Sequence, residues 1–154
     1  MKRDSRLSNV LHALLHMAEM DGPATSESLA QAMQTNPVVV RRLMAGLRFA
    51  GFVSSAKGHG GGWVLSCPLA DITLRDIHEA LGAPTLLAVG NRVESPGCVV
   101  EQAVNAALSD AFDAAEQVLL NRLGEVTLAQ LSTDFHQRMV AGSHSHKDID
   151  HEDF

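Results

Sequence analysis

Apolar residues recur at helical spacing along most of the chain, and only one short stretch alternates. Over residues 5–20 they stand at Leu7, Val10, Leu11, Leu14, Leu15 and Ala18, one face of an amphipathic helix that Asp21, Gly22 and Pro23 end. Thr25 or Ser26 then caps a short helix to Met33 with Leu29, Ala30 and Met33 inward, and Gln34-Thr35 makes a turn. Asn36 suits an N-cap and Pro37 the first helical position, where its missing N–H costs nothing. The helix they open runs to about residue 50, with Val40, Leu43, Met44 and Leu47 on the core side.

After Gly51 the period changes. Residues 52–56 and 63–67 read as the arms of a hairpin tipped by Gly58, His59 and Gly60 to Gly62, and Pro68 ends the pairing. Thr73 and Asp76 begin a helix to Leu81 with a capping-box pattern. A loop with Pro84 and Pro96 covers 82–97 and holds a short apolar piece at 86–89. A long Ala-rich helix follows over 98–123, and Thr127 with Gln130 caps a last one. Residues 143–154 are polar and rich in His and Asp, which reads as disorder. The expectation is a mainly α chain with a small β-hairpin wing: a winged helix-turn-helix over 1–82, a loop over 83–97, a long dimerisation helix and a C-terminal helix over 98–140, and a tail over 141–154. No internal repeat is visible.

Composition bounds this picture. A chain of 154 residues that is 45% hydrophobic can bury a core as one small domain with an appended helix. The formal net charge of −6 argues against nucleic acid until it is divided. Residues 1–66 hold seven Lys/Arg against four acids, net +3, whereas residues 67–154 hold five against fourteen, net −9. A basic reader joined to a module that leaves phosphate alone has this asymmetry. Two cysteines, Cys67 and Cys98, make no framework and fit a reducing cytosol. The apolar run at 10–18 is broken by His12 and His16 and is too short to span a bilayer, so a cytoplasmic protein without a membrane segment is expected.

A helix-turn-helix followed directly by a glycine-tipped ribbon is the layout that sets one helix in a DNA major groove and the ribbon on the neighbouring backbone. The outward face of the helix from Pro37 carries Val38, Arg41, Arg42, Ala45 and Arg48, with Val39 at the border. Small apolar groups suit thymine methyls, and Arg suits guanine edges or phosphates. An ordinary amphipathic helix with a solvated basic face reads the same way. The wing tip adds Lys57, His59 and glycines that let backbone approach phosphate. It lacks the spacing of a nucleotide-binding loop.

Four segments, 36–48 (NPVVVRRLMAGLR), 50–55 (AGFVSS), 60–65 (GGGWVL) and 72–77 (ITLRDI), resemble the Rrf2 family of bacterial winged-helix regulators over roughly residues 3–135. The resemblance implies a homodimer on a palindromic operator. It implies that Asn36, Val38, Val39, Arg41 and Arg42 read bases or touch phosphate, with Lys57 in the wing at the minor groove; His59 and Gly60 of the tip are further DNA-binding candidates from their own chemistry. Members that bind an iron–sulfur cluster carry three cysteines about six positions apart across the loop and long helix. Here Arg92 and Val104 stand six residues to either side of Cys98, so no cluster is expected.

In the long helix Val104, Leu108, Ala111, Ala115 and Val118 alternate by four and three, a coiled-coil-like seam that reads as the dimer interface or as an intramolecular contact. Cys98 opens that helix, where the N-terminal dipole favours a reactive thiolate; it is the candidate redox sensor, or else a small buried filler. The sequence therefore predicts a homodimeric regulator, a repressor, answering to a small-molecule or redox effector. The alternative is a thiol- or partner-controlled adaptor. No nucleophile, base and oxyanion constellation suggests an enzyme. His12 and His16 have the zincin spacing without its Glu, because Ala13 stands there, and His144, His146 and His151 lack fixed geometry, so no metal site is expected.

Overall fold

A computed structural model describes residues 4–87, 91, 93–95 and 97–147, with side chains to Gly142. Among the described residues six α-helices and one hairpin follow in the order α1 (Arg6–Glu19), α2 (Ser26–Ala32), α3 (Pro37–Phe49), β1 (Val53–Ala56), β2 (Gly62–Leu65), α4 (Leu74–Ala80), α5 (Val99–Glu125) and α6 (Leu128–Lys147), with a 3-10 turn at Leu69–Asp71 before α4. This is a mainly helical winged helix-turn-helix carrying a long helix, as the hydrophobic pattern predicts.

Local chemistry accounts for the element starts. Thr25 Oγ1 accepts from Ser28 N at 3.0 Å, and Asn36 Oδ1 accepts from Val39 N at 3.1 Å. Thr73 and Asp76 close a reciprocal capping box at α4, and Thr127 and Gln130 close another at α6. Each such cap is worth roughly 1 kcal/mol. Boundaries differ from the sequence pattern by a residue or two, as frayed ends do.

The core lies where α1, α2, α3 and α4 meet. Val10 and Leu14, Leu29, Val40 and Met44, and Ile77 are essentially inaccessible, and each such aliphatic contributes about 1.5–3 kcal/mol. Leu128 is also fully buried, because Leu128 N donates to Ile72 O and Leu74 N to Val126 O, both at 2.9 Å. The first turn of α6 thus belongs to the winged-helix core. His78 of α4 is buried too, and its Nδ1 has no partner among the described residues.

One expectation needs revision. The helix expected to end near residue 140 continues to Lys147, so residues 141–147 are helical rather than disordered. The first turn of α6 is already fixed by its cap and by Leu128, so nucleation is complete and weak helix formers extend it cheaply. Residues 148–154, with His151, lie outside the described residues, as do residues 88 and 89 of the apolar piece, Gly90 and Arg92; the side chains of His144 and His146 do too.

Candidate nucleic-acid interface

Helix α3 turns the predicted faces the predicted ways. Val40, Met44 and Leu47 are buried and Leu43 half-buried, while Val38, Arg41, Arg42, Ala45 and Arg48 are exposed. Val38 is 60% exposed, which is ordinary for a single apolar side chain at a surface. Val39 is half-buried. Asn36 spends its side-chain oxygen on the cap, leaving its amide N–H groups free to meet an acceptor. Arg41 Nη2 lies 3.4 Å from Glu27 Oε1 of α2, a weak exposed ion pair.

Phe49, 97% exposed at the end of α3, escapes the sequence reading. Its position four residues beyond Ala45 puts it on the outward face, and that spacing was the available signal.

The wing is tied to the helices rather than left free. Antiparallel pairing sets Val53 against Leu65 and Ala56 against Gly62. Ala24 bridges Trp63 through two backbone hydrogen bonds at 2.9 and 2.7 Å, and Trp63 Nε1 donates to Ser26 Oγ at 3.1 Å. Trp63 is therefore half-buried packing, with its ring nitrogen satisfied. The glycines divide into two kinds. A Cβ at Gly62 would stand 2.5 Å from Ala24 O, and Gly61 is crowded by the carbonyl of Ala56, so these two serve the hairpin. Gly58 and Gly60 take positive φ with open space around them, and with Lys57 and His59 they make an exposed tip of little bulk.

On α5 the seam residues Val104, Leu108, Ala111, Ala115 and Val118 are all exposed. The half-buried side, turned to the chain's own loop and α4, includes the polar Asn105, Ser109 and Glu116. Asn91 Nδ2 donates to Ser109 Oγ at 2.7 Å. The apolar stripe thus faces away from the chain's own contacts on its own loop. Cys98 sits at the N-cap of α5, exposed and making no side-chain cap bond, which removes the buried-filler reading. Cys67 is half-buried, with Sγ 3.2 Å from Gly51 O. Among the described residues no helix is long and apolar enough to cross a membrane.

The sequence model of the Rrf2 family, described as an iron-dependent transcriptional regulator, matches residues 3–134. The HTH-type transcriptional regulator YwnA of Bacillus subtilis is 31% identical over 125 residues, covering 81% of this chain and 92% of its own. The crystal structure of a transcriptional regulator from Lactobacillus plantarum shares the fold at TM-score 0.72 and 24% identity, over 94% of this chain and 98% of that one. CymR, the global cysteine regulator of B. subtilis, is 26% identical with TM-score 0.56, over 86% of this chain and 97% of that one.

The iron of the family description does not fit a thiolate cluster here. Such a cluster wants about four protein ligands, and this chain has two thiols, one bonded to a carbonyl beside the wing and one at α5. Among the described residues no three His, Cys, Asp or Glu side chains form a ready metal-binding group. The chain belongs to the Rrf2 family of DNA-binding, winged-helix transcriptional regulators and is not an enzyme.

Proposed function

We propose that this protein is a homodimeric repressor that reads a palindromic operator with α3 in the major groove and the 57–62 wing on the minor groove. The observation that carries this reading is the outward face of α3. It presents Val38, Arg41, Arg42 and Arg48 to solvent on a rigid helix packed against the wing strand. Val38 and Val39 suit thymine methyls, Arg41 and Arg42 suit base edges or phosphates, and Asn36 can donate to a phosphate at the helix start. Lys57, His59 and Gly60 supply a cation, a polar ring and close backbone approach.

The exposed seam of α5 supports the dimer. An unpartnered apolar stripe on a helix of 27 residues invites a second copy, and alanines let the helices approach closely. A two-fold axis then sets the two α3 helices about one DNA turn apart, and a dimer bridging a promoter blocks polymerase. Cys98, exposed at the start of that helix, is the candidate through which an oxidant changes the assembly, and a small-molecule effector is the other route.

The test is selection of bound duplexes from a random pool by the full chain, followed by salt titration on the recovered site. The expected site has two-fold symmetry, with half-sites centred about 10 base pairs apart. Its log–log salt slope is expected to be several units negative. Equal binding to every duplex would overturn the reading.

A further inference from the structure

We propose that the cavity between the loop after α4 and the middle of α5 binds a small aliphatic amine in its ammonium form. The loop contributes Thr85 and Asn91 to its wall, and α5 contributes Ser109, Asp113 and Glu116. The three α5 residues recur at helical spacing and so share one face. The cavity holds about 270 Å³, where one water takes roughly 30 Å³, so there is room for a ligand of several heavy atoms. None of these residues belongs to the surface formed by α3 and the wing.

Two unmet demands in the wall point to a cation with N–H donors. The first is at Asn91. Its Nδ2 donates to Ser109 Oγ at 2.7 Å and lies 3.4 Å from the Asn105 carbonyl. A main-chain carbonyl can only accept, so the amide is oriented and Oδ1 is the atom left over. Oδ1 is closed off from bulk water and has no hydrogen-bond partner among the described residues. An acceptor in that state is costly, and a donor entering from the cavity that Asn91 lines removes the cost. The second demand is at Glu116, half-buried and, like the exposed Asp113, without a hydrogen bond or ion pair among the described residues. A half-buried carboxylate gains from a cation placed against it.

The rest of the wall narrows the ligand. Among the described residues no Lys, Arg or His lines the cavity, so no cation there receives a ligand carboxylate, and a bare amine fits better than an amino acid. An ammonium brings three donors, enough to reach Oδ1 and a carboxylate oxygen together. Leu87 and Phe112 give its hydrocarbon chain apolar contact. The net charge of −9 over residues 67–154 draws cations toward this part of the chain. A bound amine would tie the loop to α5 on the face next to Leu108 and Ala115. Binding stands on the cavity alone; only the amine's use as an effector rests on the regulator reading above.

The experiment is calorimetric titration of the full chain with 1,4-diaminobutane, and separately with 1,4-butanediol and with MgCl2. One diamine per chain is expected. No saturable heat is expected from the diol, which has the length without the charge, or from Mg2+, which has the charge without the chain. Glu116→Gln and Asn91→Ala should each weaken the diamine by about 10-fold or more, the scale of a charged hydrogen bond. Asp113→Asn should weaken it less, because that carboxylate is exposed. Glu116→Gln keeps the side chain's shape, and unchanged circular dichroism melting verifies each fold. Absence of saturable diamine binding, equal binding of the diol or of Mg2+, or natural affinity in both Glu116→Gln and Asn91→Ala would overturn the site. Operator binding is read on separate samples with and without the diamine. A chain that takes the diamine but no operator speaks against the regulator reading and not against the cavity.

Discussion

Arg41 and Lys57 carry the same charge in different settings, and the proposed DNA contact expects different things of them. Arg41 stands on a rigid helix with its guanidinium near Glu27, whereas Lys57 sits at a glycine-rich tip. Arg41→Ala should cost about 1–3 kcal/mol of operator binding and relax preference at one base position. Lys57→Ala should weaken all sequences alike and flatten the salt slope by about one unit. Competition binding over single-base operator variants separates the two. At Gly62 the prediction concerns stability: an added Cβ meets the Ala24 carbonyl, so Gly62→Ala should lower stability by about 1–3 kcal/mol, read by denaturant unfolding. At this scale the caps were legible, because Asn36-Pro37 and Thr73 act over three residues. The Arg41–Glu27 approach was not, since nothing local relates residues 14 apart. Nor was the division of the glycines, because the crowding at Gly62 comes from Ala24, across the fold.

Amphipathic elements were legible wherever one face meets a core of the same chain. The pattern of α3 predicted its buried side, since period 3.6 maps directly onto burial there. Helix α5 differs, with an apolar stripe that points away from its own chain. Its seam of Val104, Leu108, Ala111, Ala115 and Val118 could be found by spacing, but only the structure distinguishes a solvent-facing stripe from a packed one. Leu108→Glu with Ala115→Glu should therefore leave the monomer fold intact and prevent dimerisation, because unpaired charges resist burial. Light scattering should report a monomer, and operator affinity should fall with it as the half-sites lose their tether. A soluble, unaltered dimer would place the interface elsewhere. Helix α6 was the misjudged element: polar composition suggested disorder at residues 141–147, while a capped and buried first turn extends the helix through them.

Across the whole molecule, charge divides a basic N-terminal half from an acidic C-terminal half, and Cys98 stands at the start of α5. That position would give a redox change leverage. Oxidation of the exposed thiol by peroxide forms a sulfenic acid and water, adding a polar oxygen at the start of the proposed dimer helix. Cys67 is the less accessible thiol, half-buried with its Sγ 3.2 Å from the Gly51 carbonyl. Mild peroxide should then weaken operator binding several-fold in the natural chain, leave Cys98→Ser unaffected, and still act on Cys67→Ser; gel-shift titration before and after thiol reduction reads this. Should Cys98→Ser lose affinity under oxidant as the natural chain does, the thiol is not the switch. The response would then have to enter through a bound ligand.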